Sequence, residues 1–183
     1  MPFPKKTINE YVDKGFWTTE LTVDYWDRNA ERCPDKEAIV DSRIRLTWSQ
    51  ARRQIDRIAI RLIQLDFKKN DVILAQLCNC VNVVLIRLAC AKAGIALAIV
   101  PSTFRQSELR DVLNRTEAKG VFIPFEFRGF NFYEMFTGLQ SESSTLEHIF
   151  VIGDRVPDGA ASVSEMKDKA IELKYPKDYL EQY

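Results

Sequence analysis

Two short segments of almost continuous apolar residues limit what this chain can fold into. They are Val72 to Leu77 (VILAQL) and Ile95 to Val100 (IALAIV). A strand with one wetted face alternates apolar and polar residues, whereas a strand covered on both faces need not alternate. We therefore expect two parallel strands that are covered on both sides by helices.

The segment between these strands predicts a helix that needs more cover than a surface helix. Asn79 starts it and Gly94 ends it, because glycine readily adopts the left-handed conformation that closes a helix. Apolar residues surround the helix, and only Asn82, Arg87 and Lys92 interrupt them. Left half exposed, such a helix would form a larger apolar patch than soluble monomers usually carry. We therefore expect further protein to pack against it.

A longer helix begins at Thr47 or Ser49, because either hydroxyl can accept a hydrogen bond from the first helical turn. Its apolar residues fall on one stripe, which suits a helix lying on a sheet. The stripe consists of Ala51, Ile55, Ile58, Ala59, Leu62 and Ile63. The face predicted to point away carries Arg52, Arg53, Asp56, Arg57 and Arg61.

The rest of the chain alternates short strands with helices. A helix capped by Thr22 is expected to run to Arg32, followed by two strands around a polar turn at 41–43. These strands span 37–40 and 44–46, and the later elements are a helix at 106–116, a strand at 121–123, a helix at 132–139, a strand at 149–152 and a helix at 163–173. This order predicts a three-layer α/β domain with a mostly parallel sheet and helices on both faces.

Composition and charge exclude several classes of partner. The chain has 183 residues, 46% of them hydrophobic, which suffices for one domain with a real core. Its 26 basic residues balance 26 acidic ones, which removes the electrostatic case for nucleic acid or an anionic membrane as the main partner. No apolar run approaches the roughly 18 residues that span a bilayer. Since the N-terminus also lacks an apolar signal core, we expect a cytoplasmic protein.

The four cysteines predict neither a disulfide nor a metal site. Cys78 and Cys80 are closer together in sequence than zinc-binding pairs usually are, and the only histidine, His148, lies far along the chain. We expect Cys33, Cys78, Cys80 and Cys90 to be reduced and mostly buried.

The motifs of common nucleotide-binding and hydrolytic sites do not occur in the sequence. Neither GxGxxG nor GxxxxGK(S/T) is present, which argues against a Rossmann dehydrogenase or a P-loop enzyme. His148 enters a predicted strand, where a structural or solvent-facing role is expected rather than a catalytic one. The carboxylate pairs Asp35 with Glu37 and Asp168 with Glu172 fall on predicted turns and solvated helix faces. We therefore assign no catalytic residue and no metal ligand.

Several segments, taken in order, resemble the adenylate-forming, AMP-dependent acyl-CoA synthetases. They are Tyr11 to Trp17 (YVDKGFW), Ile44 to Ala51 (IRLTWSQA), Lys92-Ala93-Gly94 before a strand ending at Pro101, Phe104 to Leu109 (FRQSEL) and Phe127 to Phe132 (FRGFNF). Their order is most similar to the cyclohexanecarboxylate-CoA ligase-like branch and the related dihydroxybenzoate-AMP ligases. The likeness runs from about Tyr11 to Ile152 and covers only the front part of a family member.

This resemblance implies a reaction that the chain does not perform alone. Full-length relatives join a carboxylate to AMP with Mg-ATP and then pass the acyl group to the thiol of CoA. Their phosphate loop, ribose-binding aspartate and transition-state lysine correspond to sequence beyond Tyr183. We therefore expect ATP, Mg²⁺ and CoA to serve the complete enzyme, and no cofactor to be held by this chain alone.

The resemblance implies a ligand role for two arginines. Arg128 follows the strand after which arginines of relatives lie near the CoA nucleotide, and a guanidinium can bind a phosphate through two parallel hydrogen bonds. Arg105 opens a helix beside the end of a buried strand, where it either assists an anion or pairs with Glu108. A purely structural role is the alternative for both arginines.

The function we expect is the N-terminal portion, or a subunit, of an acid–CoA ligase that is not competent alone. The alternative is a noncatalytic module that pairs with a sister subunit or binds a CoA-like nucleotide. The expected partners are the remainder of the ligase, a sister subunit or another copy of the chain, with a carboxylic acid as the substrate of the complete enzyme. By range, we expect an N-terminal extension over 1–21, an α/β subdomain over 22–153, and a loop and helix over 154–183 that lead towards further sequence.

Overall fold

The computed structural model describes residues 3–18 and 20–183; Met1, Pro2 and Thr19, which belong to the predicted N-terminal extension, lie outside the described residues. The helices are α1 (Lys5–Asp13), α2 (Thr22–Arg32), α3 (Trp48–Gln64), α4 (Val81–Lys92), α5 (Gln106–Thr116), α6 (Phe132–Glu142) and α7 (Val163–Asp168). The strands are β1 (Glu37–Val40), β2 (Arg45–Thr47), β3 (Val72–Ala75), β4 (Ala96–Ile99), β5 (Gly120–Pro124), β6 (Glu126–Phe127), β7 (Phe130–Asn131), β8 (His148–Ile152) and β9 (Ala161–Ser162). Within the described ranges, none of the helices is both long enough and apolar enough to cross a bilayer.

Five strands form one parallel sheet in the order β4-β3-β5-β8-β9. Ile73 of β3 lies beside Leu97 of β4 on one side and beside Gly120 of β5 on the other. The hairpins β1-β2 and β6-β7 are antiparallel and lie outside this sheet. The predicted α/β fold with a parallel sheet is therefore confirmed.

Alternate side chains of the central strands build two separate cores. Ile73 and Phe122 point to the face covered by α2, α3 and α4, whereas Leu74 points to the face covered by α5 and α6. Burial on both faces is why these strands are apolar at almost every position. α4 is buried along most of its surface, with Arg87 and Ala91 exposed.

β4 is less covered than the sequence predicts, because it lies at an edge of the sheet. The N–H groups of Ala96 and Val100 donate to carbonyls on the β3 side, so the N–H of Ile99 points away from the sheet. Ile99 is 53% exposed. The prediction that 95–100 is covered on both faces is therefore wrong.

Capping side chains decide where α2 and α3 begin. Thr22, the predicted cap of α2, is its first helical residue, because the Asp24 carboxylate accepts a hydrogen bond from the Leu21 N–H at 2.7 Å. Of the two predicted caps of α3, Thr47 is the one observed. Its hydroxyl accepts from the Gln50 N–H at 3.3 Å.

The Asp41 carboxylate explains why β2 and α4 begin later than predicted. Its Oδ1 accepts hydrogen bonds from the N–H groups of Arg43 and Ile44 at 2.8 Å each, so Ile44 belongs to the turn and β2 starts one residue later than predicted. Its Oδ2 accepts from the Val81 N–H at 2.8 Å, which places the start of α4 at Val81 instead of Asn79. These N–H groups, that of Val81 foremost, hold the pKa of Asp41 below its ordinary value.

The last predicted helix, 163–173, is broken. α7 ends at Asp168, and a 3-10 turn follows at Ile171–Lys174. Arg57 of α3 donates to the carbonyl oxygens of the last two residues of α7 at 2.8 and 3.3 Å, and its guanidinium pairs with Glu172 through two bonds of 2.8 Å. Since a helix leaves its last carbonyls unpaired, this guanidinium stabilises the end of α7. Arg57, predicted to point away from the core, is only 17% exposed, so that prediction is wrong.

Asp56, predicted to lie on the same outward face, belongs to a buried ion-pair cluster. Lys92 Nζ lies 2.7 Å from Asp56 Oδ1 and 2.7 Å from Asp27 Oδ2, so it joins α2, α3 and α4. Burial raises the pKa of Asp56, although the Lys92 ammonium acts in the opposite direction. Of the five charged residues predicted on this face, only Arg53 is exposed.

Candidate functional site

The strands β3, β4, β5 and β8 end at one side of the sheet, and the loops that follow them form what we call the carboxyl edge. The loop after β3 leads to α4 on one face of the sheet, and the loop after β5 leads towards α6 on the other. In an open parallel sheet, such a divergence leaves a crevice outside the carboxyl ends of the strands, where ligands usually bind. The carboxyl edge is therefore the candidate site.

Arg105 lies at this edge, in the loop after β4, and the backbone fixes its guanidinium. Nη1 donates to the carbonyl oxygens of Ser102 at 2.9 Å and Phe104 at 2.8 Å. The guanidinium carbon lies 4.0 Å from the centre of the Phe130 ring, a cation–π distance. The Glu108 carboxylate accepts from the backbone N–H of Arg105 at 3.1 Å and caps α5. The predicted side-chain pairing with Glu108 is therefore wrong, because the guanidinium is turned towards the loop carbonyls.

Arg128 lies at the tip of the hairpin formed by β6 and β7. Its φ is 52° and that of Gly129 is 75°. Two positive φ values in a two-residue loop define a type I′ turn, which Asn-Gly adopts with little strain. Arginine at the first position is held in a conformation that costs free energy. This hairpin was not predicted from the sequence. The Arg128 side chain is exposed, with its guanidinium carbon 5.3 Å from the Phe127 ring centre.

A third arginine at the carboxyl edge was not predicted from the sequence. The guanidinium carbon of Arg155, which follows β8, lies 3.8 Å from the ring centre of Phe125, which follows β5. β5 and β8 pair up to Pro124 and Ile152, so the residues just beyond them meet. The available signal was that Phe125 and Arg155 each come just after a predicted buried strand.

Each of these three arginines lies over an aromatic ring and has a guanidinium group that can bind an anion. Together with their rings they form what we call the arginine–aromatic cluster: Arg105, Arg128 and Arg155 with Phe130, Phe127 and Phe125. Within residues 3–18 and 20–183, none of the three guanidinium groups lies within 4.0 Å of a carboxylate oxygen. Guanidinium groups without a carboxylate partner are suited to bind an anion such as a phosphate.

Arg105 also lines an open cavity of 490 Å³ between the beginnings of α5 and α6. Phe130 and Met135 give the cavity apolar walls, and Glu134 adds an acidic group on the α6 side. A volume of this size accommodates a small organic ligand. The predicted residues Arg105 and Arg128 are thus brought to one edge, linked through the hairpin that carries both Phe130 and Arg128.

His148 and the buried thiol lie away from the carboxyl edge. His148 begins β8 at the opposite side of the sheet, with its ring centre 5.2 Å from that of Phe67 and 5.9 Å from that of Phe150. Burial lowers the pKa of His148, which fits the predicted structural role. All four cysteines are free, but only Cys90 is buried, and burial raises its pKa to about 12. The prediction of mostly buried thiols holds for that residue alone.

One member of each predicted carboxylate pair forms an ion pair. Glu172 pairs with Arg57 and is 14% exposed, so its predicted place on a solvated helix face is wrong. Glu37 pairs with Arg45 across the β1-β2 hairpin. In the part of the chain that the structure describes, no three histidine, cysteine, aspartate or glutamate side chains come together as metal ligands would.

Residues 26–177 match the model of the protein family described as AMP-binding enzyme. The chain belongs to the AMP-binding enzyme family. The family predicted from the sequence motifs is therefore confirmed, and the parallel sheet and its flanking helices form part of the fold of that family.

Two relatives and one solved structure show how the chain compares with longer proteins. The salicylyl-CoA synthase / salicylate adenylyltransferase of Streptomyces sp is 27% identical over 170 residues, which cover 93% of this chain and 31% of that protein. The mitochondrial medium-chain acyl-CoA ligase ACSF2 of Mus musculus is 31% identical over 140 residues, or 75% of this chain and 23% of that protein. The apo structure of Mycobacterium smegmatis MbtA superposes with a TM-score of 0.81 at 22% identity, over 93% of this chain and 31% of that one. The chain thus spans about a quarter to a third of the length of these three proteins.

Proposed function

We propose that this chain is the N-terminal portion of an acid–CoA ligase. The complete enzyme joins a carboxylate to AMP with Mg-ATP and then transfers the acyl group to the thiol of CoA. The observation that carries the proposal is the AMP-binding family match over 26–177, in a chain that spans 31% and 23% of two relatives named for CoA or adenylate chemistry. Those relatives are named for an aromatic acid and for medium-chain acyl groups, so the proposed substrate class is a carboxylic acid.

The proposal assigns ATP and Mg²⁺ to the remainder of the enzyme. An acyl-adenylate is a reactive anhydride that has to be kept from water, which requires an enclosed site. The sequence has no glycine-rich phosphate loop, and the described residues bring no three metal-binding side chains together. Residues 22–153 would be the α/β subdomain of that enzyme, and 154–183 would lead into the remainder. Free cysteines fit a cytoplasmic enzyme.

The arginine–aromatic cluster is the part of this chain that fits CoA. The nucleotide end of CoA carries phosphates, and among the described residues no carboxylate oxygen lies within 4.0 Å of the three guanidinium groups at the carboxyl edge. Aromatic rings hold two guanidinium groups at 4.0 and 3.8 Å, which restricts their motion before a ligand arrives. In this proposal Arg105 and Arg128 contact the CoA phosphates, and Arg155 adds positive charge beside them.

The experiment is to measure the two half-reactions separately in the longer polypeptide that the proposal requires. Arg128→Asn keeps a residue suited to the left-handed conformation while it removes the charge. One lost charge-assisted contact is expected to raise the KM for CoA about tenfold to a hundredfold and to leave adenylation nearly unchanged. Arg115→Asn is the control, because Arg115 is 77% exposed and pairs with Asp111 on α5.

Two results would contradict parts of this proposal. An unchanged KM for CoA in Arg128→Asn removes Arg128 from the CoA site. A loss of both half-reactions together assigns the residue to stability instead. Binding of CoA by the isolated chain, with no adenylation by any longer polypeptide, favours the noncatalytic CoA-binding module.

A further inference from the structure

Gln76 is the one polar side chain that is fully buried among the described residues. It directly follows β3 at the carboxyl edge, where the chain connections of β3 and β5 diverge. Its backbone N–H donates to the Phe122 carbonyl of β5 at 2.9 Å. Gln76 therefore lies where parallel α/β sheets usually bind ligands.

The side-chain amide of Gln76 has only one possible orientation. Nε2 donates to the carbonyl oxygens of Pro101 at 2.9 Å and Phe104 at 3.0 Å. Both are acceptors, so the NH₂ group has to face them. The Oε1 atom is then buried without a hydrogen-bond donor in the described part of the chain. Because an unpaired buried acceptor costs free energy, an apolar side chain of similar length would suit packing better. The two donated bonds are what the glutamine supplies.

These two bonds hold the turn that carries Arg105. The Pro101 carbonyl also accepts the Phe104 N–H at 3.1 Å, which closes the turn over 101–104. The Phe104 carbonyl accepts from Gln76 Nε2 at 3.0 Å and from Arg105 Nη1 at 2.8 Å. Gln76 and the guanidinium are thus joined through one shared oxygen atom, and that guanidinium lies 4.0 Å above Phe130.

We propose that Gln76 is a positioning residue for the anion site of the arginine–aromatic cluster. It fixes the 101–104 turn and, through the shared Phe104 carbonyl, holds the Arg105 guanidinium over Phe130. The CoA phosphate as ligand rests on the proposed function, whereas the placement of Arg105 does not. A guanidinium oriented before binding loses less conformational freedom when an anion arrives, so the site binds more tightly.

The test compares Gln76→Met with a matched glutamine elsewhere. Methionine has a similar length but removes both donors and the unpaired acceptor. Gln140→Met is the control, because Gln140 Nε2 also donates to a backbone carbonyl, that of Glu147 at 3.0 Å, outside the carboxyl edge. The first measurement is by NMR on the chain itself. Protons held over an aromatic ring are shielded, so the side-chain signals of Arg105 report its position above Phe130.

The expected result has a structural and a binding component. Gln76→Met stays folded and its Arg105 signals lose the shielding. In the longer polypeptide of the proposed function, the same substitution lowers the affinity for CoA about threefold to tenfold, the effect of one ordinary hydrogen bond. Gln140→Met changes neither. In an Arg105→Met background, the Gln76→Met substitution has no further effect on CoA affinity, because Gln76 acts through Arg105.

Unchanged Arg105 signals in folded Gln76→Met overturn the proposal. If the shielding is lost but the wild-type longer polypeptide binds no CoA, the positioning role stands and the proposed CoA role fails. Should Gln76→Met not fold, Gln76→Glu replaces it. The introduced carboxyl group can donate to a carbonyl only when it is protonated, so the Arg105 signals should change with pH as this group titrates. Arg105 signals that stay constant over that titration overturn the proposal.

Discussion

The buried cluster around Lys92 provides the sharpest test of how the helical layer is held together. Lys92 is 8% exposed and bridges two carboxylates at 2.7 Å each. Lys92→Met keeps the apolar stem but leaves Asp27 and Asp56 facing each other without the ammonium. Removing one partner of a buried pair typically costs about 3–5 kcal/mol.

The partial exposure of the two carboxylates places the expected loss of stability just below this range. Asp27 and Asp56 keep 30% and 20% side-chain exposure, and Arg52 Nε remains 3.2 Å from Asp27. We therefore expect Lys92→Met to lower the free energy of unfolding by about 2–3 kcal/mol, or the Tm by about 5–10 °C. Lys169→Met is the control. Lys169 is 63% exposed and pairs with Glu165 on the surface, so its loss should be about 0.5 kcal/mol or less.

The loss should also depend on pH in a defined direction. The folded-state pKa of Asp56 is raised by burial, so protonation of this group favours the folded state as the pH falls. Without the Lys92 ammonium, the pKa of Asp56 should rise further. The difference in the free energy of unfolding between wild type and Lys92→Met should therefore become smaller towards acid pH. Urea unfolding can be followed by tryptophan fluorescence, since Trp26 and Trp48 lie 4.8 Å apart between α2 and α3. A difference in the free energy of unfolding below about 0.5 kcal/mol, or one that does not change with pH, would show that Lys92 does not stabilise this cluster as a buried ion pair does.

Three further predictions follow from individual contacts. Arg128→Asn should raise stability by on the order of 1 kcal/mol in thermal unfolding, because asparagine tolerates the left-handed conformation at the first position of the I′ turn; a loss of stability would contradict the assigned strain. Asp41→Asn should make the Tm depend less on pH in the acid range. The lowered pKa of Asp41 stabilises the folded state above pH 3.8, the ordinary pKa of this group, and the stabilisation is lost as the pH falls through the folded-state pKa. An unchanged dependence of the Tm on acid pH would exclude a stabilising role of the ionised Asp41 carboxylate. The wild-type chain should self-associate in sedimentation at rising concentration through the open β4 edge, and Ile99→Lys should weaken this association; a monomer at every concentration would contradict it.

The spacing of apolar residues predicts those helices and strands whose burial is determined by residues close to them in the sequence. The helix over 106–116 and the strand over 37–40 have the predicted bounds, and five of the six predicted stripe residues of α3 are buried. The apolar strands β3 and β5 are buried as expected, because both faces of a central parallel strand are covered. Fold class and family were therefore accessible from the sequence.

Partners that are distant in the sequence explain what was missed. Arg57 and Lys92 look like ordinary surface charges in their local patterns, but Glu172 and Asp27 bind them across the fold. Phe125 and Arg155 become neighbours only because β5 and β8 pair. The hairpin at Arg128 carries no Asn-Gly signal, so its backbone conformation is not readable from the residue types.

The most direct test of the central proposal is carboxylate-dependent ATP–pyrophosphate exchange. The measurement uses the 183-residue chain and the longer polypeptide side by side, with an aromatic acid and a medium-chain acid as substrates. The proposal predicts exchange at the level of the no-acid blank for the isolated chain and clear acid-dependent exchange for the longer polypeptide. Acid-dependent exchange by the isolated chain would contradict the assignment of the ATP site to the remainder of the enzyme.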